Sequence, residues 1–162
     1  MTDVVLAIDP GSEQSAWIAY DAGTGRPRAF AKQPNEVLLA QLRAGVSPDA
    51  EVVVIEWTAP RGMPASAQLF ETLWWAGQFA EAAHSVRVER LLRSDVKRHL
   101  CGTTAAKDSN VIAALVDRFG SAGGRRAAVG VKSAPGPLYG VHADVWQALA
   151  LAVTWQDLES AS

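Results

Sequence analysis

Hydrophobic and polar positions along the chain predict strands in the first part and mostly helices in the second. Short runs of branched and aromatic residues bounded by Gly, Pro or Asp are typical of strands, and apolar residues at helical spacing are typical of helices. The predicted strands cover residues 4–9, 15–21, 28–32, 51–57 and 86–92. The predicted helices cover residues 35–44, 65–84, 95–100, 108–119 and 144–158.

This order of elements predicts an α/β domain with a mixed sheet. The unbroken run from Val52 to Ile55 is typical of a strand covered on both faces, and such strands are central and often parallel. Asn35 is a candidate cap for the first helix. The long helix over 65–84 has an apolar stripe formed by Phe70, Leu73, Trp74 and Gly77. Six of the thirteen glycines fall within 120–140, which predicts a long loop there.

Composition is that of an ordinary globular protein. The chain has 162 residues, of which 49% are hydrophobic and 20% charged, so we expect one domain over 1–162 with a real core. The single cysteine, Cys101, excludes an intramolecular disulfide and a multi-cysteine zinc site. No apolar run approaches the roughly 18 residues of a membrane span, and residues 1–3 show no basic leader. We therefore expect a soluble, cytoplasmic protein without a membrane partner.

The formal net charge of −2 hides a strong asymmetry along the chain. Residues 87–132 contain ten Lys or Arg against four Asp or Glu, a net charge of +6, and the remaining residues have a net charge of −8. A cluster of this kind predicts a phosphate-binding surface, or alternatively a set of solvated helix faces.

Two predicted strands end in a carboxylate. Period-two alternation places Asp9 on the same face as Val5 and Ala7, and Glu56 on the same face as Val52 and Val54. If the strands are parallel neighbours, the two acids lie side by side, where either a proton or a hard cation must neutralise them. Taken separately, Asp9-Pro10-Gly11 is also a good turn sequence.

A third acid, Asp144, begins the last predicted helix. Asp144 followed by Gln147 three residues later is typical of a helix cap with its capping-box partner, which requires no metal. A metal ligand is the alternative interpretation of the same residue.

An ordered set of motifs resembles the RuvC-type Holliday junction resolvases, specifically the short forms of phages and of bacterial genomes with phage-derived genes. The resemblance extends over nearly the whole chain. The motifs are Ala7-Ile8-Asp9-Pro10-Gly11-Ser12, Val54-Ile55-Glu56, Gly62-Met63-Pro64, Phe70-Glu71-Thr72, Val96-Lys97-Arg98-His99-Leu100-Cys101-Gly102, Ala106-Lys107-Asp108-Ser109-Asn110, Ala134-Pro135-Gly136-Pro137-Leu138-Tyr139-Gly140-Val141 and the segment 144–152.

The resemblance implies an RNase H-like fold, with a mixed sheet of about five strands flanked by helices. It also implies that Asp9, Glu56 and Asp144 bind two Mg²⁺ or Mn²⁺ ions and that the protein hydrolyses DNA phosphodiesters by attack of a metal-bound water. Lys107 matches a basic position that approaches the scissile phosphate. An ordinary surface lysine at a helix start is the alternative for Lys107.

One position departs from the family pattern. The family has a second acid three residues after the first on the last helix, and this chain has Gln147 there, which offers a neutral oxygen. His142 is a candidate replacement ligand, or else a loop histidine. Glu71 is a further candidate ligand, or else a surface glutamate.

Junction resolution needs two symmetric nicks, so the resemblance implies a homodimer. Trp74 and Trp75 are adjacent on the long helix and point to different faces, so one can enter the core and the other can meet a partner. Contacts to the four-way junction are expected mainly from 120–140. Tyr139 is a candidate for stacking on a base or for core packing. The predicted DNA-binding residues are Arg93, Lys97, Arg98, Lys107, Arg125, Arg126 and Lys132.

Other functions use the same residue types. A ribonuclease acting on RNA·DNA hybrids or structured RNA would need the same acids, and a non-catalytic branched-DNA-binding module is compatible with Gln147. A phosphotransferase of the actin or sugar-kinase type shares the Asp-x-Gly-Ser start, but its architecture needs two such domains, which do not fit in 162 residues.

Overall fold

The computed structural model describes residues 4–45, 49–59 and 62–162. Residues 1–3, on which the expectation of no leader rests, lie outside the described residues. The strands of the main sheet are β1 Val4–Asp9, β2 Gln14–Asp21, β3 Arg26–Pro34, β4 Ala50–Trp57 and β5 Arg87–Leu92. The helices are α1 Asn35–Arg43, α2 Ala67–Ala82, α3 Arg93–Cys101, α4 Asp108–Gly120, α5 Gly124–Ala128 and α6 Val145–Ser160. Among these described helices, none has the length and apolar character that crossing a membrane requires.

The main sheet is mixed and has the strand order β3-β2-β1-β4-β5. Strands β1, β2 and β3 form an antiparallel meander, whereas β4 lies parallel to both β1 and β5. The prediction of a five-stranded mixed sheet flanked by helices is therefore confirmed. The unbroken apolar run of β4 is explained by its position between two parallel neighbours with both faces covered.

Alternation along β1 and β4 divides the core into two layers. One face, which includes Val5, Ala7, Val52 and Val54, packs against α4 and α6. The opposite face, which includes Leu6, Ile8, Val53 and Ile55, packs against α1 and α2. Helix α6 is buried continuously from Val145 to Thr154, so it is the central helix of its layer.

Helix α2 does not bury the apolar stripe predicted for it. Ala76 and Phe79 are buried, and Trp75 packs against Phe79 with ring centroids 6.0 Å apart. Phe70 and Trp74 are instead 63% and 67% exposed. Apolar residues surround most of this helix, so its periodicity does not define a single core face.

The prediction of a long loop over 120–140 is wrong. The segment contains one 3₁₀ turn at Ser121–Gly123, helix α5 and a small hairpin of β6 Gly130–Val131 and β7 Ala134–Pro135. Ala128 and Leu138 are fully buried, and the Leu138 N–H donates to the Ala128 carbonyl at 2.9 Å. At Gly136 an added Cβ would lie 2.5 Å from that same carbonyl oxygen. Glycine there permits close packing of the backbone.

Candidate active site

The carboxyl ends of β1 and β4 meet at one edge of the sheet. Ile8 pairs with Ile55 in the parallel register, so the next residues, Asp9 and Glu56, follow side by side. Both acids project from the face that α6 covers, as the alternation along each strand requires. The condition on which the sequence placed the two acids side by side, that their strands are parallel neighbours, is therefore met.

Burial dominates the electrostatics of both carboxyl groups. Burial raises the pKa of Asp9 well above its usual value, and the charge of Glu56 and a hydrogen bond to Glu56 raise it further. Burial also raises the pKa of Glu56, while the Arg93 guanidinium opposes this shift. Asp9 therefore retains its proton above the usual pH range of an aspartate and donates it to the Glu56 carboxylate. Such a pair is stabilised by a shared proton or by a cation.

A closed ring of hydrogen bonds fixes the loop that follows Asp9. The Gly11 N–H donates to Ser15 Oγ at 3.1 Å, the Ser15 hydroxyl donates to Asn35 Oδ1 at 2.6 Å, and Asn35 Nδ2 donates to the Gly11 carbonyl at 2.9 Å. The prediction that Asn35 caps α1 is wrong, because Pro34 occupies the cap position and the Asn35 side chain is buried against this loop. Gly11 is required, since an added Cβ would lie 2.2 Å from the carbonyl oxygen of Gln14.

Asp144 lies at the start of α6 but does not cap it. Its side chain makes no capping hydrogen bond, so the capping-box interpretation of Asp144 and Gln147 is wrong. Asp144 Oδ2 instead accepts a hydrogen bond from Lys32 Nζ at 2.7 Å. After burial and Glu56, the charge of Asp144 contributes a smaller part of the rise in the pKa of Asp9. Ala143, immediately before it, has a φ of +46°, a left-handed conformation that is costly for a residue with a Cβ.

Glu56 is linked to the first residues of α3 and α4 through Arg93. Arg93 Nη1 lies 3.6 Å from Glu56 Oε1, and Arg93 Nη2 donates to Asp108 Oδ1 at 2.7 Å. Lys97 Nζ lies 3.8 Å from the same Asp108 oxygen. Arg93 and Lys97, predicted to bind DNA, are thus paired with acids of the protein itself.

Sequence reasoning missed Lys32 and Asp108 as members of this site. Lys32 lies on β3, far from the acids along the chain, and only the strand pairing brings it close. Asp108 follows Lys107 directly, which is the one sequence signal that could have drawn attention to it.

The remaining candidate ligands lie around this group. Gln147 is 7% exposed and lies one helical turn after Asp144. His142 is exposed, and its Nδ1 lies 2.9 Å from the Gly140 carbonyl oxygen. Glu71 is exposed on α2. Within residues 4–45, 49–59 and 62–162, no group of three or more His, Cys, Asp or Glu side chains is close enough to hold an ion as it stands.

The other cations predicted to bind DNA are exposed. Lys107 is exposed, and its backbone N–H donates to Asn110 Oδ1 at 2.8 Å at the start of α4. Arg98 pairs with Asp95 on its own helix. On α5 and the following hairpin, the guanidinium of Arg125 lies 6.0 Å from the ring centroid of Trp146, and the basic side chains of Arg126 and Lys132 are exposed.

Comparison with solved structures decides the fold. No protein-family model and no curated protein sequence matches the chain. Thermus thermophilus RuvC matches with a TM-score of 0.64 and 19% identity, over 98% of this chain and 96% of that chain. T. thermophilus RuvC in complex with a Holliday junction substrate matches with a TM-score of 0.63 and 22% identity, over 94% and 92% of the two chains. The chain has the RuvC fold. The RNase H-like architecture implied by the sequence motifs is confirmed.

Within this RuvC fold, the donor set at the sheet edge fits a divalent cation. Asp9 and Glu56 offer carboxylate oxygens on neighbouring strands, and burial, the main cause that raises the pKa of both groups, disfavours two uncompensated negative charges there. Asp144 could join them if its carboxylate left Lys32. A hard ion such as Mg²⁺ or Mn²⁺ matches this all-oxygen set.

Proposed function

We propose that the protein is a metal-dependent endonuclease that resolves four-way DNA junctions by paired symmetric nicks. The observation that carries the proposal is the carboxylate pair of Asp9 and Glu56, side by side at the end of two parallel strands. The RuvC fold over nearly the whole chain supports it, because one of the matching RuvC structures is a complex with a Holliday junction substrate.

Each acid has a defined part in this proposal. Asp9 and Glu56 would hold two divalent ions, and Asp144 would complete the ligand set from α6, with Gln147 offering a neutral oxygen and His142 a ring nitrogen. When bound, the ions supply an activated water and stabilise the leaving oxygen. The Gly11, Ser15 and Asn35 hydrogen bonds keep the end of β1 in place, and Lys107 approaches the scissile phosphate.

The DNA contacts are assigned to the exposed cations near the site. Arg125, Arg126 and Lys132 on α5 and its hairpin, together with Lys107, can each neutralise a backbone phosphate, whereas Arg98 would first have to leave Asp95 on its own helix. Arg93 and Lys97 must share their charge with Glu56 and Asp108, so they orient the site more than they bind DNA.

A cleavage assay on three substrates tests the function. A labelled four-way junction, a duplex of the same sequence and an RNA·DNA hybrid are each incubated with Mg²⁺, Mn²⁺ or a chelator. We expect paired nicks near the junction centre only with a divalent ion, because the acids need the ion to activate water. Preferred cutting of the hybrid would indicate a ribonuclease, junction binding without cleavage would indicate a binding module, and equal digestion of all three would indicate a general nuclease.

We also propose that the exposed face of α2 joins two copies of the chain. Phe70 and Trp74 lie one turn apart and are more than half exposed, and Met63 before the helix is 78% exposed. Clustered exposed aromatic residues are typical of protein interfaces. Two symmetric nicks require two active sites related by a twofold axis, which this face could supply as an isologous contact.

Replacing Trp74 with aspartate is expected to convert the dimer to a monomer. A charge at the centre of an apolar interface must be desolvated without a partner, which typically weakens association at least about tenfold. Light scattering after size-exclusion chromatography measures the mass across a concentration series. Leu158→Asp, at a 43% exposed position on α6, is the matched control and keeps the parental mass. A monomeric parent protein would contradict the proposal.

A further inference from the structure

Lys32 belongs to a row of the sheet that includes Asp9. Asp9 pairs with Ala16 on β2, and Ala16 pairs with Lys32 on β3. Cross-strand partners project from the same face, and neighbouring strands lie about 4.8 Å apart. Lys32 therefore starts about 10 Å from Asp9 on the face covered by α6. Because Ala16 has only a methyl group, the lysine side chain can lie over it toward the start of α6.

The Lys32 ammonium ends on the third acid of the candidate site. Its Nζ lies 2.7 Å from Asp144 Oδ2, and the two side chains are 31% and 53% exposed. Asp144 is at the same time close enough to Asp9 for its charge to act on that carboxyl. A positive charge of the protein is thus already present where the third ligand of a metal ion is needed.

Lys32 and a divalent ion need the same carboxylate. An ion held by Asp9, Glu56 and Asp144 must bind the Asp144 carboxylate, whose Oδ2 Lys32 now holds, and two cations in contact with one carboxylate repel each other. Among the described residues, Asp144 is the only acid within ion-pair distance of Lys32. Arg93 differs from Lys32 in having a second acidic partner. Its Nη2 lies 2.7 Å from Asp108 Oδ1, and this contact would remain if Glu56 bound a metal ion.

Gln147, which stands where the family has a second acid, strengthens the competition between Lys32 and a metal ion for Asp144. Gln147 is neutral, so the first turn of α6 offers a single carboxylate, and Lys32 holds it. A second acid at that position would provide a ligand that Lys32 does not contact.

We propose that Lys32 is an internal counter-ion of Asp144 that competes with a divalent metal ion for this carboxylate and must release it for the metal site to be complete. The inference rests on the proposed function, because it requires Asp9, Glu56 and Asp144 to bind the ion. Lys32 is then a positioning residue that lowers the metal affinity of the DNA-free protein.

Mn²⁺ titration of the full chain tests this inference without DNA or cleavage. The dissociation constant is measured by calorimetry and by electron paramagnetic resonance of free Mn²⁺. Lys32→Met keeps an unbranched side chain only one atom shorter and removes the charge, and we expect its dissociation constant to be roughly three- to tenfold lower than that of the parent. Lys32→Arg restores the charge and is expected to return the affinity to the parental range.

Two controls separate competition from a general charge effect. Arg26→Met removes one charge from an exposed position on the same strand and is expected to leave the affinity unchanged. In an Asp144→Asn background, Lys32→Met is expected to have a smaller effect, because no carboxylate remains to be competed for.

The possible outcomes distinguish the two proposals. An unchanged or higher dissociation constant in Lys32→Met, with Mn²⁺ bound by the parent, overturns the role of Lys32 and leaves the metal site standing. An absence of Mn²⁺ binding in the parent and in Lys32→Met overturns both.

Discussion

Asp9→Asn is expected to abolish junction cleavage and to stabilise the folded protein at neutral pH. The asparagine keeps the shape of the side chain but removes the charge that the proposed metal site requires on β1. We expect the nicking rate to fall by about a thousandfold or more, the range found when a central catalytic group is removed. The cleavage assay on the four-way junction measures the rate, and binding of the junction is expected to persist because the exposed cations are unchanged.

The gain in stability follows from the raised pKa of Asp9. A carboxyl whose pKa is higher in the folded protein than in the unfolded chain binds its proton more tightly when folded. Above the unfolded value, near 3.8, the folded state therefore loses stability as pH rises, until the folded pKa is passed. Asp9→Asn removes this loss of stability. The difference in the free energy of unfolding between the variant and the parent is therefore absent in acid and grows toward neutral pH.

Urea unfolding in the presence of a chelator, from acid to neutral pH, measures this difference. Asp117→Asn is the matched control, because it removes the same charge from an exposed position on α4. Normal cleavage by the Asp9→Asn protein would show that Asp9 is not part of the active site. One that is less stable than the parent at neutral pH would contradict the burial and repulsion argued for the carboxylate pair.

The acid pair was predictable because it depends on local periodicity. Alternation along each strand fixes the face of Asp9 and Glu56, and the unbroken apolar run of β4 indicates a central parallel strand. Two local patterns together are then enough to place both acids at one sheet edge. The motifs of the RuvC resemblance independently predicted the fold.

The partners of these acids were not predictable in the same way. Lys32 reaches Asp144 across 112 positions of the chain, through the pairing of three strands that no local pattern specifies. The capping signal at Asp144 and Gln147 is a local preference, and here the nearby Lys32 ammonium supplies a charged partner for the same carboxylate. Tertiary contacts of this kind override local propensities.

Two predictions from the sequence, the buried apolar stripe of α2 and the long loop over 120–140, were wrong for related reasons. Phe70, Trp74 and Phe79 are equally apolar, and only the position of the sheet determines which of them is buried. The glycines of 120–140 are typical of loops, yet Gly136 allows the backbone to approach Ala128 closely. The sequence identifies aromatic residues on α2 and glycines in 120–140. Only the packing of the folded chain determines which aromatic side chains are buried and which glycines allow close contact between backbone segments.

Asn35→Ala is expected to be the most destabilising of the substitutions considered around the site. Asn35 is fully buried, and the change leaves the Ser15 hydroxyl and the Gly11 carbonyl without their partner. A buried polar group left without a hydrogen bond costs about 1–3 kcal/mol, so we expect a total loss of about 2–4 kcal/mol. Urea unfolding measures the change in the free energy of unfolding.

Asn110→Ala provides the matched control for this prediction. Asn110 also bonds to the backbone at a helix start, where its Oδ1 accepts the Lys107 N–H at 2.8 Å, but its side chain is exposed. Water replaces the lost bond there, so we expect a cost of no more than about 1 kcal/mol. Because Gly11 is two residues from Asp9, Asn35→Ala should also weaken Mn²⁺ binding, whereas Asn110→Ala should not. Equal destabilisation by the two variants would show that the hydrogen-bonded ring does not fix the end of β1.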